Sequence, residues 1–290
     1  MSRLTADELR ELRRLHVSLG RRVDSLFAGD YRSAIRGRGM EFEEVRGYVP
    51  GDDVRHIDWN VTARNGAPFI KIFREERQNT VILAVDVSGS SRVGSGGRDG
   101  RTDRRLQIAR IAGALAFAGT RNRDRVGLVT FSDRIEKWLS PRPTRGHVWA
   151  IIQQVYAAQA EHFGTNLAEV FAFLARTQKR KVTIVVVSDF LDDGPWGKPL
   201  ATLARRHEVH GIVVHDALDT GLKGLGLVEL VDAETGEAFL ADGGSWSSGK
   251  GPEARLNDLL RAGVRGTIID TREDANRRLQ QHFQSLGRRP

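Results

Sequence analysis

Nearly unbroken apolar runs alternate with amphipathic stretches along residues 80–290 of this 290-residue chain, which predicts strands and helices in turn. Residues 80–88 (TVILAVDVS) and 181–187 (KVTIVVV) lack the every-second-residue polarity of a half-exposed strand, so both read as strands buried on two faces. Further strands are expected at 124–131, 135–139, 208–214 and 266–270, and helices at 104–121, 146–158, 166–178, 197–206, 252–262 and 273–286. Residues 226–241 read as a hairpin turning at Glu234-Thr235-Gly236. This alternation implies an α/β fold: a doubly wound, mostly parallel sheet of Rossmann type, covered by helices on both faces.

The first 79 residues have a different texture. Leu9, Leu12, Leu15 and Leu19, extended by Val23 and Phe27, predict a packing helix over 6–28, with Thr5 and Glu8 placed as a capping box. From 31 to 79 short β-prone pieces lie between turn signals such as Pro50-Gly51 and Asn65-Gly66, as in a small, turn-rich β unit. Two units are therefore expected: an N-terminal helix plus β-rich unit over 1–79 and an α/β domain over 80–290, with the hairpin inserted into it. Residues 92–100 (RVGSGGRDG) read as a flexible loop without the Lys-Ser/Thr ending of a phosphate-binding loop.

Composition narrows the chemistry. An apolar fraction of 40% can fill a core, and 28% charged residues is ordinary for a globular protein. The chain has no cysteine, which excludes disulfides, thiolate catalysis and zinc–thiolate sites. Its start is charged throughout, and the apolar runs at 111–118 and 182–187 fall far short of the roughly 18 residues that span a bilayer. A cytoplasmic protein with no membrane span is the expectation, peripheral to the membrane at most through a partner. The net charge of +8 could meet nucleic acid, anionic lipid or an acidic protein. The bases are interleaved with Asp and Glu, however, and the densest cluster, 101–105 (RTDRR), is short. Nucleic-acid binding is thus the weaker reading.

Candidate chemistry gathers where apolar strands end. Asp86-Val87-Ser88-Gly89-Ser90 closes the first strand, and residues two apart in an extended segment point the same way, so Asp86, Ser88 and Ser90 can converge. The second buried strand ends at Ser188-Asp189, and Gly164-Thr165-Asn166 opens a helix between them. In a doubly wound sheet these points share the carboxyl edge, where ligands bind. All the groups are hard oxygen donors, which favours magnesium, with manganese or calcium as alternatives, over zinc or copper. Each piece has a plainer reading, since a serine after a strand caps a turn and a threonine after glycine caps a helix. Their joint placement argues for a metal. Most of the donors are neutral hydroxyls, so a bound ion stays electrophilic and suits adhesion to an external carboxylate better than hydrolysis.

Asp86, Ser88, Ser90, Thr165 and Asp189 together resemble the metal-ion-dependent adhesion site of von Willebrand factor A domains, in which hydroxyls ligate directly and a partner supplies an acidic side chain. A second resemblance covers most of the chain. Residues 37–42 (GRGMEF), 46–59 (RGYVPGDDVRHIDW) and Ala63-Arg64 look like the signature of the DUF58 family, as do Lys71, Glu75-Glu76, 124–128 and Ser188-Asp189-Phe190. That resemblance implies a von Willebrand factor A-like domain acting with a MoxR-type AAA+ ATPase, or with its client, as an adaptor or chaperone component. Two departures stand out. Many members carry transmembrane helices ahead of the signature, and many place Met where this chain has Ser91.

Within the signature, Arg46, Tyr48, Asp52, Asp53, Arg55, Asp58, Trp59 and Arg64 admit an acid–base site, but no nucleophile or phosphate loop accompanies them. The plainer reading, an Asp–Arg network stapling the β unit to the main sheet or a docking surface, is preferred. His207-Glu208-Val209-His210 lacks the helical spacing of a zinc motif, and Trp138, Trp149, Trp196 and Trp246 read as packing residues. The expected function is therefore a non-enzymatic interaction module using a magnesium-completed carboxylate bridge. A metal-dependent phosphohydrolase and a basic nucleic-acid-binding protein are the rivals.

Overall fold

The computed structural model describes residues 6–22, 30–31, 40–75, 79–92, 104–158, 164–222, 226–231, 237–243 and 249–287. Thr5, the continuation of the first helix to Val23 and Phe27, the glycines at 37 and 39, Glu76, most of the 92–100 loop, the hairpin turn and Trp246 lie outside those residues.

Ten strands and eight α-helices are formed among the described residues. The central sheet contains β3 (Thr80–Asp86), β4 (Arg125–Phe131), β5 (Ile135–Arg142), β6 (Thr183–Ser188), β7 (Glu208–His215) and β10 (Arg265–Asp270). Its order is β5-β4-β3-β6-β7-β10, with all neighbours parallel except the β4–β5 pair. The chain thus builds outward from β3 to one side, then returns past it to build the other side, which is the doubly wound arrangement.

Both faces of β3 are buried, and alternate side chains serve two different cores. Val81, Leu83 and Val85 meet the cluster that includes Leu12, Leu15 and Leu19 of α1 (Ala6–Arg22) and the apolar face of α3 (Arg104–Arg121). The same layer contains α4 (Arg145–Tyr156) and α8 (Ala275–Gly287). Ile82 and Ala84 instead meet α5 (Leu167–Thr177), α6 (Gly197–Arg206) and α7 (Pro252–Arg261). Burial on two faces explains why this strand reads as a continuous apolar run.

The segment over 40–75 forms a separate antiparallel pair, β1 (Met40–Gly47) with β2 (Phe69–Glu75). Beside the strands expected of a turn-rich β unit, it also contains a 3-10 turn at Val54–His56 and a short helix not foreseen there, α2 (Trp59–Asn65). Asp58 caps that helix by accepting from the N–H groups of Asn60 and Val61, and Gly66 ends it at φ 69°, a conformation glycine adopts at little cost. The hairpin β8 (Leu227–Val231) with β9 (Ala238–Asp242) forms a third, two-stranded sheet.

Candidate functional site

Asp86 ends β3 and Asp189 follows β6, and these two strands are neighbours at the point where the sheet's winding direction reverses. A crevice opens at such a switch point beyond the carboxyl ends of the strands. Both carboxylates are buried, at 2% and 4% exposure. Ser88 turns its N–H back onto Asp86 Oδ1 at 2.9 Å, and Ser188 Oγ donates to Asp86 Oδ2 at 2.6 Å. The Ser88 and Ser90 hydroxyl oxygens lie 3.2 Å apart, so the two converge on one point. Ser91 is buried and donates its hydroxyl to the Ser88 carbonyl at 2.7 Å, closing the turn that presents the two serines.

Thr165 sits in the loop before α5 at the same edge, held there by the Asn166 N–H donating to the Ser132 carbonyl just beyond β4. Asn166 caps α5, and Asp192 accepts from the Leu167 N–H at 2.7 Å. The structure thus carries all five expected donors to one edge, with Asp86, Ser88 and Ser90 drawn into a single turn. Phe190, next after Asp189, holds φ 56°, a strained value for a non-glycine residue. Its ring packs on Trp196 at 6.0 Å between centroids, and Ser188 Oγ accepts its N–H, so the surroundings hold the strain in place.

Sequence reasoning missed the layer beneath. Arg104, the first residue of α3, is 1% exposed and donates to Asp189 Oδ2 at 3.2 Å, to the Ser90 carbonyl at 3.1 Å and to Asp219. Arg255 of α7, also 1% exposed, donates to the Asp189 carbonyl at 2.6 Å and lies 3.1 Å from His215 Nδ1. Asp216 accepts from Thr271 Oγ1 and from the Leu218 N–H. A signal existed for part of this layer, because the run GIVVHD also ends in a carboxylate, as the two motif-bearing strands do. Arg104 stands in the short basic cluster 101–105, to which no role is given.

The buried charges do not cancel. Among the described residues, Asp86, Asp189, Asp216 and Asp219 are buried here beside the guanidiniums of Arg104 and Arg255, so carboxyl groups outnumber permanent cations four to two. Burial, and secondarily the Asp189 charge, push the Asp86 carboxyl up to about 7. Asp219 is instead held down at about 2: burial opposes this, but the His215 hydrogen bond and the Arg104 charge prevail. The donor set of carboxylates and hydroxyls fits one hard divalent cation, and a cation there would hold Asp86 in its ionised form. The hydroxyls are essential to that fit, because among the described residues no three His, Cys, Asp or Glu side chains gather as a metal group. Asp189 already accepts from Arg104 and from the Leu191 N–H, leaving its remaining lone pairs for an ion or an ion-bound water.

Among the described residues, the ion pairs of the signature run within the β unit rather than to the main sheet, where the expected staple placed them. Arg46 grips Asp52 with two bonds of 2.7 and 2.8 Å, Arg55 grips Asp53, and Asp58 caps α2 while pairing with Lys71 at 3.3 Å. Short sequence separation explains this, since each partner lies within the same turn or adjacent strand. Tyr48 is half-buried, with its N–H on the Pro68 carbonyl, while Arg64 and Trp59 are exposed, Trp59 to 70%. His207 and His210 are buried apart from each other, the former with Nδ1 accepting from the Val182 N–H and the latter edge-on to His282 at 5.4 Å between ring centroids.

Residues 44–245 match the family described as "Protein of unknown function DUF58", and the chain belongs to that family. It is 33% identical over 227 residues to the uncharacterized proteins Rv1480 of Mycobacterium tuberculosis and Mb1516 of Mycobacterium bovis, covering 78% of this chain and 70% of each relative. Among solved structures it is similar to the conserved hypothetical protein BatB from Bacteroides thetaiotaomicron, with a TM-score of 0.50 at 15% identity, over 72% of this chain and 98% of that one. At that identity the likeness is one of fold. No helix among the described residues is long and apolar enough to cross a membrane.

Proposed function

We propose that the chain is a non-enzymatic interaction module that binds one divalent cation, magnesium first, at the carboxyl edge of its sheet and through it an acidic residue of a partner protein. The observation that carries this reading is the convergence of Asp86, Ser88 and Ser90 beside Asp189 in a buried layer where carboxyl groups outnumber guanidiniums. Ser88, Ser90 and Thr165 offer hydroxyls, Asp86 is oriented by Ser88 and Ser188, and Asp189 is oriented by Arg104 and Leu191. The ion would supply an electrophilic position for an external carboxylate. The set resembles the adhesion site of von Willebrand factor A domains.

The DUF58 resemblance adds a MoxR-type AAA+ ATPase, or its client, as the partner, in an adaptor or chaperone role within the cytoplasm. A hydrolytic rival gains nothing from the signature carboxylates, because Asp52, Asp53 and Asp58 are engaged by Arg46, Arg55 and the α2 cap. The test is calorimetric titration of metal-stripped protein with magnesium, beside an Asp86→Ala/Ser88→Ala variant checked for folding by circular dichroism. Saturable binding that vanishes in the folded variant supports the site. Absence of binding in the wild type, with or without added free carboxylate, would remove it.

A further inference from the structure

Bases that look dispersed in the sequence are gathered by the fold. Parallel strands all begin at one edge, so each helix-to-strand connection returns there. The connections 121–125, 179–181, 205–208 and 261–265 lead into β4, β6, β7 and β10. The antiparallel β5 also ends at that edge, with Arg142 opposite Val126. Lys179, Arg180 and Lys181 are consecutive and exposed, as are Arg205 and Arg206, while 121–125 adds three exposed arginines and 261–265 two.

The carboxylates of these connections barely offset them. Asp124 is buried under the Asn79 N–H, Glu208 is half-buried near His210, and Asp258 takes up only Arg261 and Lys250. The carboxyl edge is unlike this one, since there exposed acids and bases alternate, as in Asp133-Arg134 and Arg272-Glu273. One base per helix would serve the negative C-terminal dipole ends of α3, α5, α6 and α7. Runs of two and three exceed that need.

We propose that this amino edge of the sheet docks on the anionic face of a lipid bilayer. The six strand ends stand about 4.8 Å apart, which spreads the bases over roughly 24 Å as a broad front rather than a groove. These connections contain no Phe, Trp or Tyr on which nucleobases could stack. Helix N-termini, which cradle phosphates with backbone N–H groups, lie at the other edge of the sheet. What remains is side-chain charge acting over a Debye length on a diffuse negative surface, worth about 1 kcal/mol per base. Such docking is peripheral and reversed by salt, and it turns the cation site at the opposite edge away from the bilayer.

Sedimentation with vesicles tests this, using equimolar phosphatidylcholine and phosphatidylglycerol against phosphatidylcholine alone. EDTA in the buffer makes the result independent of the cation site. The full chain should sediment with the anionic vesicles only and be released by salt. Arg180→Glu/Lys181→Glu should weaken binding by about tenfold or more. Arg13→Glu/Arg14→Glu, an equal change of charge on the exposed side of α1, should leave it near the wild-type value. Three results would overturn the proposal: no vesicle binding at low salt, an equal loss in both variants, or a single-stranded oligonucleotide bound more tightly than the vesicles.

Discussion

A guanidinium enclosed by protein is tolerated where carboxylates surround it, and Arg104 is held between Asp189 and Asp219 with the Ser90 carbonyl beside them. Its removal strands two buried carboxylates. Arg104→Leu should therefore lower unfolding stability by about 3–5 kcal/mol, measured by urea denaturation of the metal-free protein. By contrast, Arg55→Ala, which breaks an ion pair whose arginine is 84% exposed, should leave the urea midpoint unchanged. Equal effects from the two would mean that burial does not decide the worth of these pairs. The contrast also marks what sequence could reveal at this scale. Asp86, Ser88 and Ser90 were legible because they are close neighbours at the end of a buried strand, although the extended path expected for them is replaced by a 3-10 turn over Gly89–Arg92. Arg104 was not, because its carboxylates lie 85 and 115 positions away and only the folded sheet brings them together.

Strands and helices of the main sheet were legible within a few residues because burial on one or two faces imposes a period on each. The exception, α2, is only seven residues long and keeps no buried side chain, so no periodicity betrays it; its marks are the Asp58 cap and Gly66. Where elements meet, the decisive residues are small. Gly211 of β7 lies under α7, and a Cβ placed there would meet Leu259 Cδ1 at 2.5 Å. Gly211→Ala should accordingly cost about 1–3 kcal/mol through overpacking. In a Leu259→Ala background, where that methyl is gone, the penalty should shrink, and a double-mutant cycle would read the coupling directly. Additive costs would mean that α7 shifts as a body, in which case Arg255 should move with it and weaken its bond to the Asp189 carbonyl.

At the scale of the molecule, the sequence shows an interleaved, basic chain, while the fold separates a basic amino edge from a carboxyl edge with buried acids, because parallel winding sorts loops by strand end. Buried titratable groups then set how stability follows pH in EDTA. Burial pushes Asp86 up to about 7 and Asp124 to about 6, from 3.8. Each keeps its proton longer in the native state, so its contribution is greatest below 3.8 and is lost as pH rises to its folded value. His282 runs the other way. Burial, then the neighbouring His210 and Arg265, lower it from 6.5 to about 3, so its contribution is present above 6.5 and is lost as pH falls toward 3. Two falling contributions against one rising leave a net decline of about one proton between about 4 and 6, a level stretch from about 6 to 6.5, and a further decline toward 7 from Asp86. Below 3.8 the protonation of Asp219, normally held at about 2, adds to His282 and makes the acid limb steep. Urea midpoints across pH should show this shape. In His282→Phe the decline between about 4 and 6 should steepen and the level stretch from about 6 to 6.5 should become a decline, while in Asp86→Asn the decline toward 7 should disappear. A His282→Phe profile parallel to the wild type would show that the buried imidazole takes up its proton without unfolding.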